Sequence, residues 1–382
     1  MELYDKIVAA VKGSTFDVVL VTGADNFTYM AGAAVPFLAL YHDSPVAVVW
    51  PKRGDPTIIA PEEWAETIVT LSSVKKTATY SGGVDTFAKA VADALKAKKE
   101  ARIGVDLLRI PEATLQQLKK LLSGTTWASC DGLIRELRAV KTEEELEALE
   151  DVAYRVDHGI FGTQHHVLIT STRSEMSLAE ETRVHCLERG LDVIGGQSIS
   201  QGASGPNASK FWPRAPYYGI GHEKKLKEGE YVRIEARYSI DGYWGTGSRL
   251  MTQGYPTAEQ REAYNGLVAM REAALAAMKP GAKCSDVYKA MKSTAKERGA
   301  KLVEGLALGH GIGVADVEAP YLSAKDDTKI CPGLALVIRP VVEGPKGELL
   351  WSSDTVLVEE DGPRVVGWYK DWRAPYTANY TL

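Results

Sequence analysis

Within Tyr231 to Ile240, Arg233, Glu235 and Arg237 recur at every second position. On a strand this spacing sets two guanidiniums and a carboxylate on one face. Such a face either meets solvent, the commoner arrangement for these residue types, or lines a pocket. In a pocket, Glu235 could move a proton while arginines grip an anion. A second chemical feature is His310, set among glycines in Gly309-His310-Gly311-Ile312-Gly313. Glycine removes side-chain bulk and lets backbone approach closely. The third glycine is misplaced for a dinucleotide-binding loop, and Asp316 to Pro320 reads as a turn rather than a helix. His310 is therefore either a turn histidine bonded to backbone or a functional imidazole. His165 and His166 adjoin on a helical run, where neighbours point about 100° apart and cannot chelate one ion together. No H-E-x-x-H, P-loop or G-x-S-x-G motif is present.

The elements that must hold these residues fall into two halves. The first alternates β-rich runs (17–22, 45–50, 101–106) with helical runs (61–72, 84–98), which reads as an α/β domain. A boundary follows near Arg138-Ala139-Val140-Lys141. Thr142 with Glu145 then forms a capping box, where a side-chain oxygen accepts from the backbone N–H three residues on. Ser177 with Glu180 and Thr257 with Gln260 are read as two more, each opening a long helix. Pro280-Gly281 stops the third helix, and Val287 to Arg298 makes a fourth. Strand runs lie at 231–240, 243–251, 334–342 and 354–358, so the second half reads as α+β, with helices covering one face of an antiparallel sheet. Asp241-Gly242 marks a hairpin. A register centred between Ile240 and Asp241 sets Glu235 opposite Thr246 and Arg237 opposite Trp244.

At 382 residues, 45% hydrophobic and 25% charged, with a net charge of −5, the chain is long enough for two folded domains. The acidic balance argues against a nucleic-acid partner steered by a basic face. The longest apolar stretch, 31–41, is too short to span a bilayer and contains Pro36. Four scattered cysteines and the lack of a signal-like start suggest a reducing compartment, and the expected location is cytoplasmic.

Several segments together resemble the creatinase/prolidase/methionine aminopeptidase family, the "pita-bread" metallopeptidases. They are Asn26-Phe27-Thr28-Tyr29-Met30-Ala31-Gly32, Arg138-Ala139-Val140-Lys141-Thr142, Ser204-Gly205-Pro206-Asn207, Asp241-Gly242-Tyr243 with Ser248-Arg249, and Lys279-Pro280-Gly281-Ala282. The glycine-rich segment around His310 and the run from Asp354 to Gly362 complete the set, in the family's order. The resemblance implies an α/β N-terminal domain over 1–137 followed by an α+β pita-bread C-terminal domain over 138–382, and a homodimer.

The family's metal site has two aspartates, a histidine and two glutamates. By resemblance these positions fall on Glu235, Thr246, His310, Arg339 and Ser353, and two substrate-handling histidines fall on Trp212 and Val317. Only His310 is retained, and Glu235 is a conservative change. The five positions sum to zero charge, where carboxylates would suit divalent cations. Arginine cannot lose its proton and cannot ligate, so Arg339 is read as standing in the cation's place beside Glu235. No metal and no cofactor are expected. Three possibilities stay open. One is a metal-independent hydrolase of a small carboxylate-bearing substrate, breaking a C–N bond. There, Glu235 or His310 moves protons, Arg237, Arg249 and Arg339 bind the anion, Thr246 and Ser353 line the site, and Trp212, Trp244 and Trp351 stack on the substrate. The second is a catalytically inactive homologue that binds a small ligand or a partner. The third is a metallopeptidase with unusual ligands.

Overall fold

The computed structural model describes residues 2–35, 45–95, 100–169, 173–192, 198–209, 223–368, 372 and 376–378, with backbone alone at 165–169 and 376–378. The chain divides into two compact units, Met1–Arg138 and Ala139–Leu382.

The N-terminal unit is built on a six-stranded mixed sheet. Its strands are β1 (Val18–Val21), β2 (Ala47–Pro51), β3 (Thr57–Pro61), β4 (Lys76–Tyr80), β5 (Arg102–Val105) and β6 (Thr126–Ser129), in the order β4-β3-β2-β1-β5-β6. All four residues of β1 are buried, as a central strand of Val and Leu requires when both faces are covered. The helices are α1 (Leu3–Gly13), α2 (Ala24–Ala31), α3 (Glu62–Leu71), α4 (Val84–Leu95), α5 (Glu112–Leu121) and α6 (Asp131–Ala139), the last running one residue past the division. Gly32, at φ 60°, closes α2 in the left-handed conformation that glycine adopts without strain.

In the C-terminal unit, α7 (Glu143–Ile169) and α8 (Glu175–Glu188) cover one sheet, β7 (Ile199–Ser204), β8 (Tyr231–Ile240), β9 (Tyr243–Gln253) and β18 (Tyr376–Ala378), ordered β18-β9-β8-β7. Leu149, Val152, Ala153, Val156 and Ile160 recur at helical spacing along α7 and are all buried against that sheet. A second helix pair, α9 (Ala258–Ala277) and α10 (Cys284–Glu297), packs on the strands that follow. These are β10 (Lys301–Leu302), β11 (Gly309–Gly311), β12 (Glu318–Tyr321), β13 (Ala335–Ile338), β14 (Val341–Glu343), β15 (Leu349–Trp351), β16 (Asp354–Glu359) and β17 (Gly362–Val366). They form a five-stranded sheet, β12-β11-β13-β16-β17, and a small one, β10-β14-β15.

The boxes at Thr142/Glu145 and Thr257/Gln260 form reciprocally as expected. The third does not. Ser174 and Ser177 cap one another, so α8 begins ahead of the expected Ser177. Two further expectations change. The run 334–342 is two strands parted at Arg339-Pro340, because proline has no N–H to continue a ladder. His310 lies on strand β11 rather than in a turn, and the expected turn at 316–320 holds only for Asp316 and Val317, because Glu318 already begins β12.

Candidate functional site

The β8–β9 hairpin turns on Asp241 and Gly242, at φ 49° and 83°. Two positive-φ residues make the tightest hairpin loop and pair Ile240 with Tyr243. Glu235 therefore opposes Ser248, and Arg237 opposes Thr246, two residues from the expected register. Across β7, Glu235 pairs with Gln201.

The two faces of this sheet differ sharply. On one, a Cβ at Gly245 would come within 2.9 Å of the Val152 carbonyl, and one at Gly247 within 2.9 Å of Ile160 Cδ1, so α7 lies directly on the strand there. The other face carries Arg233, Glu235 and Arg237 with Thr246 and Ser248. It is not turned to solvent: Arg233 is 0% and Glu235 5% exposed.

The second sheet supplies the remaining groups. His310 pairs with Val337, and Val337 with Thr355. The β13–β16 register runs toward Arg339 and Ser353, and Ser353 bridges to Ser248 (its N–H donates to the Ser248 carbonyl at 3.1 Å). The two sheets thus join beside Glu235. Gly309 sits against the Val337 carbonyl and Leu322, with no room for a side chain, which fixes the strand that carries His310.

Glu235 takes its ion pairs from its own strand. Arg237 donates through both Nε, at 3.0 Å, and Nη2, and Arg233 Nε stands 3.6 Å away. Arg237 also reaches Asp316 at 3.1 Å. Burial opposes a charge on Glu235, yet Arg237 and Arg233, with Arg339 adding its charge, hold its pKa down to about 2. For Arg233 burial wins and lowers the pKa to about 10 despite Glu235. The opposite directions within one pair mean that its burial is expensive for the guanidinium. Arg233 is compensated by the Gln201 side chain at 3.1 Å, the Ala208 carbonyl and the Trp351 ring, whose centroid lies 3.5 Å from its Cζ.

His310 is 4% exposed, and its Nδ1 lies 3.0 Å from the Gly311 carbonyl. A carbonyl only accepts, so the proton is assigned to Nδ1 and Nε2 keeps its lone pair. Burial lowers the imidazole pKa to about 4; Asp316 opposes this, while Arg339 and Arg237 reinforce it. His310 is therefore neutral near pH 7.

The donor set does not suit a divalent cation. The carboxylate of Glu235 is occupied by guanidiniums, and Arg233, Arg237 and Arg339 add positive charge where a metal would need negative. Among the described residues no group of three or more His, Cys, Asp or Glu side chains could hold a metal ion.

Of the residues singled out from sequence, Glu235, Arg237, Thr246, His310, Arg339 and Ser353 belong to this cluster. Trp351 stacks on Arg233 rather than standing open to a ligand. Trp244 is buried, 6% exposed, as a member of the apolar cluster of this unit. Arg249 lies on the opposite face. It pairs with Asp157 at 2.6 Å and Asp354 at 3.1 Å, and Asp354 also binds Arg271 at 2.6 Å and Trp372 Nε1 at 3.2 Å. This network of ion pairs braces α7 and α9 against the sheets, away from Glu235 and His310. Trp212 lies outside the described residues. Sequence reasoning missed Ser248 and Asp316. A cavity of about 450 Å³ in the N-terminal unit, lined by residues such as Thr57, Lys76 and Lys89, has no comparable cluster of acid–base groups.

The sequence model of metallopeptidase family M24 matches residues 135–360, and that of the creatinase/prolidase N-terminal domain matches residues 4–140. The chain belongs to metallopeptidase family M24. Its C-terminal unit has the family's pita-bread fold, preceded by the creatinase/prolidase N-terminal domain. An Xaa-Pro dipeptidase of Pyrococcus furiosus is 27% identical over 234 residues, 61% of this chain and 64% of that protein, so the match spans under two thirds of the relative's length. Among solved structures, the prolidase from Pyrococcus horikoshii OT3 superposes with a TM-score of 0.79 at 21% identity, covering 98% of this chain and 99% of that one. Dipeptidase PepE from Mycobacterium ulcerans gives 0.79 at 22% identity, covering 99% and 98%. Among the described residues no helix is long and apolar enough to cross a membrane.

Proposed function

We propose that this M24 member binds a small carboxylate-bearing substrate where its relatives' chemistry would call for a metal, and hydrolyses a C–N bond without one. The observation that carries this reading is the charge around His310. The guanidiniums of Arg233, Arg237 and Arg339 gather beside a neutral imidazole, with the carboxylates of Glu235, Asp316 and, at Arg233, Glu175 among them. We read Arg339 and Arg237 as the donors of charge-assisted hydrogen bonds to an incoming carboxylate. The names of the relatives fit: a dipeptide offers both a C–N bond and a carboxylate.

Glu235 is poorly suited to take a proton, because the ion pairs that lower its pKa would have to be given up. His310 is better suited. As water attacks the substrate carbonyl carbon, Nε2 accepts a proton from that water and returns it to the leaving nitrogen, so the imidazole ends neutral. A bound carboxylate raises the basicity of His310 by offsetting the guanidiniums that depress it.

The test compares wild type with Arg339→Ala for carboxylate binding by calorimetry and for hydrolysis of a dipeptide panel in chelator-treated protein. The expected result is metal-free turnover, with carboxylate affinity falling at least about tenfold in the variant. Binding without any turnover would favour the catalytically inactive, ligand-binding alternative. Unchanged affinity in the variant would refute the anion site.

A further inference from the structure

Two buried oxygen atoms of this cluster accept or donate no hydrogen bond among the described residues. Ser248, 1% exposed and directly across from Glu235, has its hydroxyl oxygen buried with no hydrogen-bond partner among the described residues. Asp316 gives Oδ2 to Arg237, while its Oδ1 is likewise buried and without a partner. Unsatisfied buried polar atoms are uncommon in native proteins and call for an explanation. Here Ser248 stands across from Glu235 and Asp316 binds Arg237, so both join one charged cluster, and their hydrogen-bonding capacities differ. A carboxylate held by an arginine can only accept, whereas a serine hydroxyl can donate.

We infer that Asp316 is a specificity-determining residue whose Oδ1 accepts a hydrogen bond from an N–H of the ligand, with Ser248 Oγ donating to one of the ligand's oxygens. The ligand is then a carboxylate that carries an N–H, and not merely one with a C–N bond. This rests on the carboxylate-binding reading above and narrows its substrate class. An ether oxygen or methylene in place of the nitrogen leaves Oδ1 unsatisfied. Sites built to hydrogen-bond a ligand N–H discriminate strongly against analogues that lack it, because the buried acceptor is then left bare.

The experiment uses three probes of nearly equal shape that cannot be hydrolysed: N-ethylglycine, ethoxyacetate and pentanoate. Each is titrated calorimetrically into the full-length protein at pH 7, and then into Asp316→Asn. The wild type should bind N-ethylglycine about tenfold or more tightly than either of the others. In Asp316→Asn that ratio should collapse toward one, because the amide can retain Arg237 while turning a donor toward the ligand. Equal binding of all three probes by the wild type overturns the role of Asp316 and leaves the carboxylate site standing. No binding of any probe overturns the carboxylate site itself, and this inference with it. The wild-type comparison needs no variant to fold, and a selective wild type whose preference survives in Asp316→Asn also refutes the assignment.

Discussion

Replacing Glu235 by glutamine removes one charge while keeping the shape of the side chain. In the native protein that carboxylate is 5% exposed and lies between Arg237, at 3.0 Å, and Arg233, at 3.6 Å. A fall in pKa from 4.5 to about 2 corresponds to roughly 3 kcal/mol favouring the charged form in the folded state. Breaking a buried ion pair from one side gives a similar figure, about 3–5 kcal/mol, because the surviving guanidiniums are left uncompensated. Glu235→Gln should therefore destabilise the protein by about 3 kcal/mol in urea unfolding at pH 7. Combined with Arg237→Met, it should cost less than the sum of the two single changes, with a coupling near 2 kcal/mol. The lowered pKa also sets a pH signature. Its contribution is complete above about pH 4.5 and is lost as pH falls toward about 2, so the variant should lack that portion of the acid sensitivity. A loss below about 1 kcal/mol, together with additive single and double variants, would refute the claim that this cluster is a tightly coupled charge centre.

Two further outcomes follow from the same geometry. His310, with a pKa of about 4 against an ordinary 6.5, is protonated more readily in the unfolded chain; it should erode stability as pH falls from about 6.5 to about 4. Its imidazole resonances should titrate below pH 5 in NMR, whereas a midpoint above 6 would contradict a buried neutral ring. Arg249→Met should lower stability by about 3–5 kcal/mol, since Asp157 and Asp354 lose a partner, while carboxylate affinity changes less than about twofold; a tenfold affinity loss with stability intact would return Arg249 to the binding site.

What the sequence made legible was local. The boxes at Thr142 and Thr257 join residues three apart, and the strand carrying Arg233, Glu235 and Arg237 follows from its apolar alternation. The hairpin was visible in Asp241-Gly242, but its register was not read correctly, and two residues of slip separated Glu235 from Ser248. Arg249 was misassigned for a different reason. Period-two alternation already sets it on the face opposite Thr246 and Ser248, whereas a family resemblance orders residues along the chain and does not record the face. Asp316 had no signal at all. It reaches Arg237 from a loop 79 residues away, a contact fixed only by how the sheets meet. The burial of Arg233 depended on the same assembly, because Gln201 and the Ala208 carbonyl come from one distant segment and Trp351 from another.

The proposed site sets guanidiniums and a neutral histidine where a metal centre would need carboxylates. Calorimetric titration of chelator-treated protein with manganese, cobalt and zinc at pH 7 tests it most directly. No stoichiometric binding that is sensitive to Glu235→Gln or His310→Gln is expected. One or two divalent ions bound per chain, and lost in those variants, would contradict it.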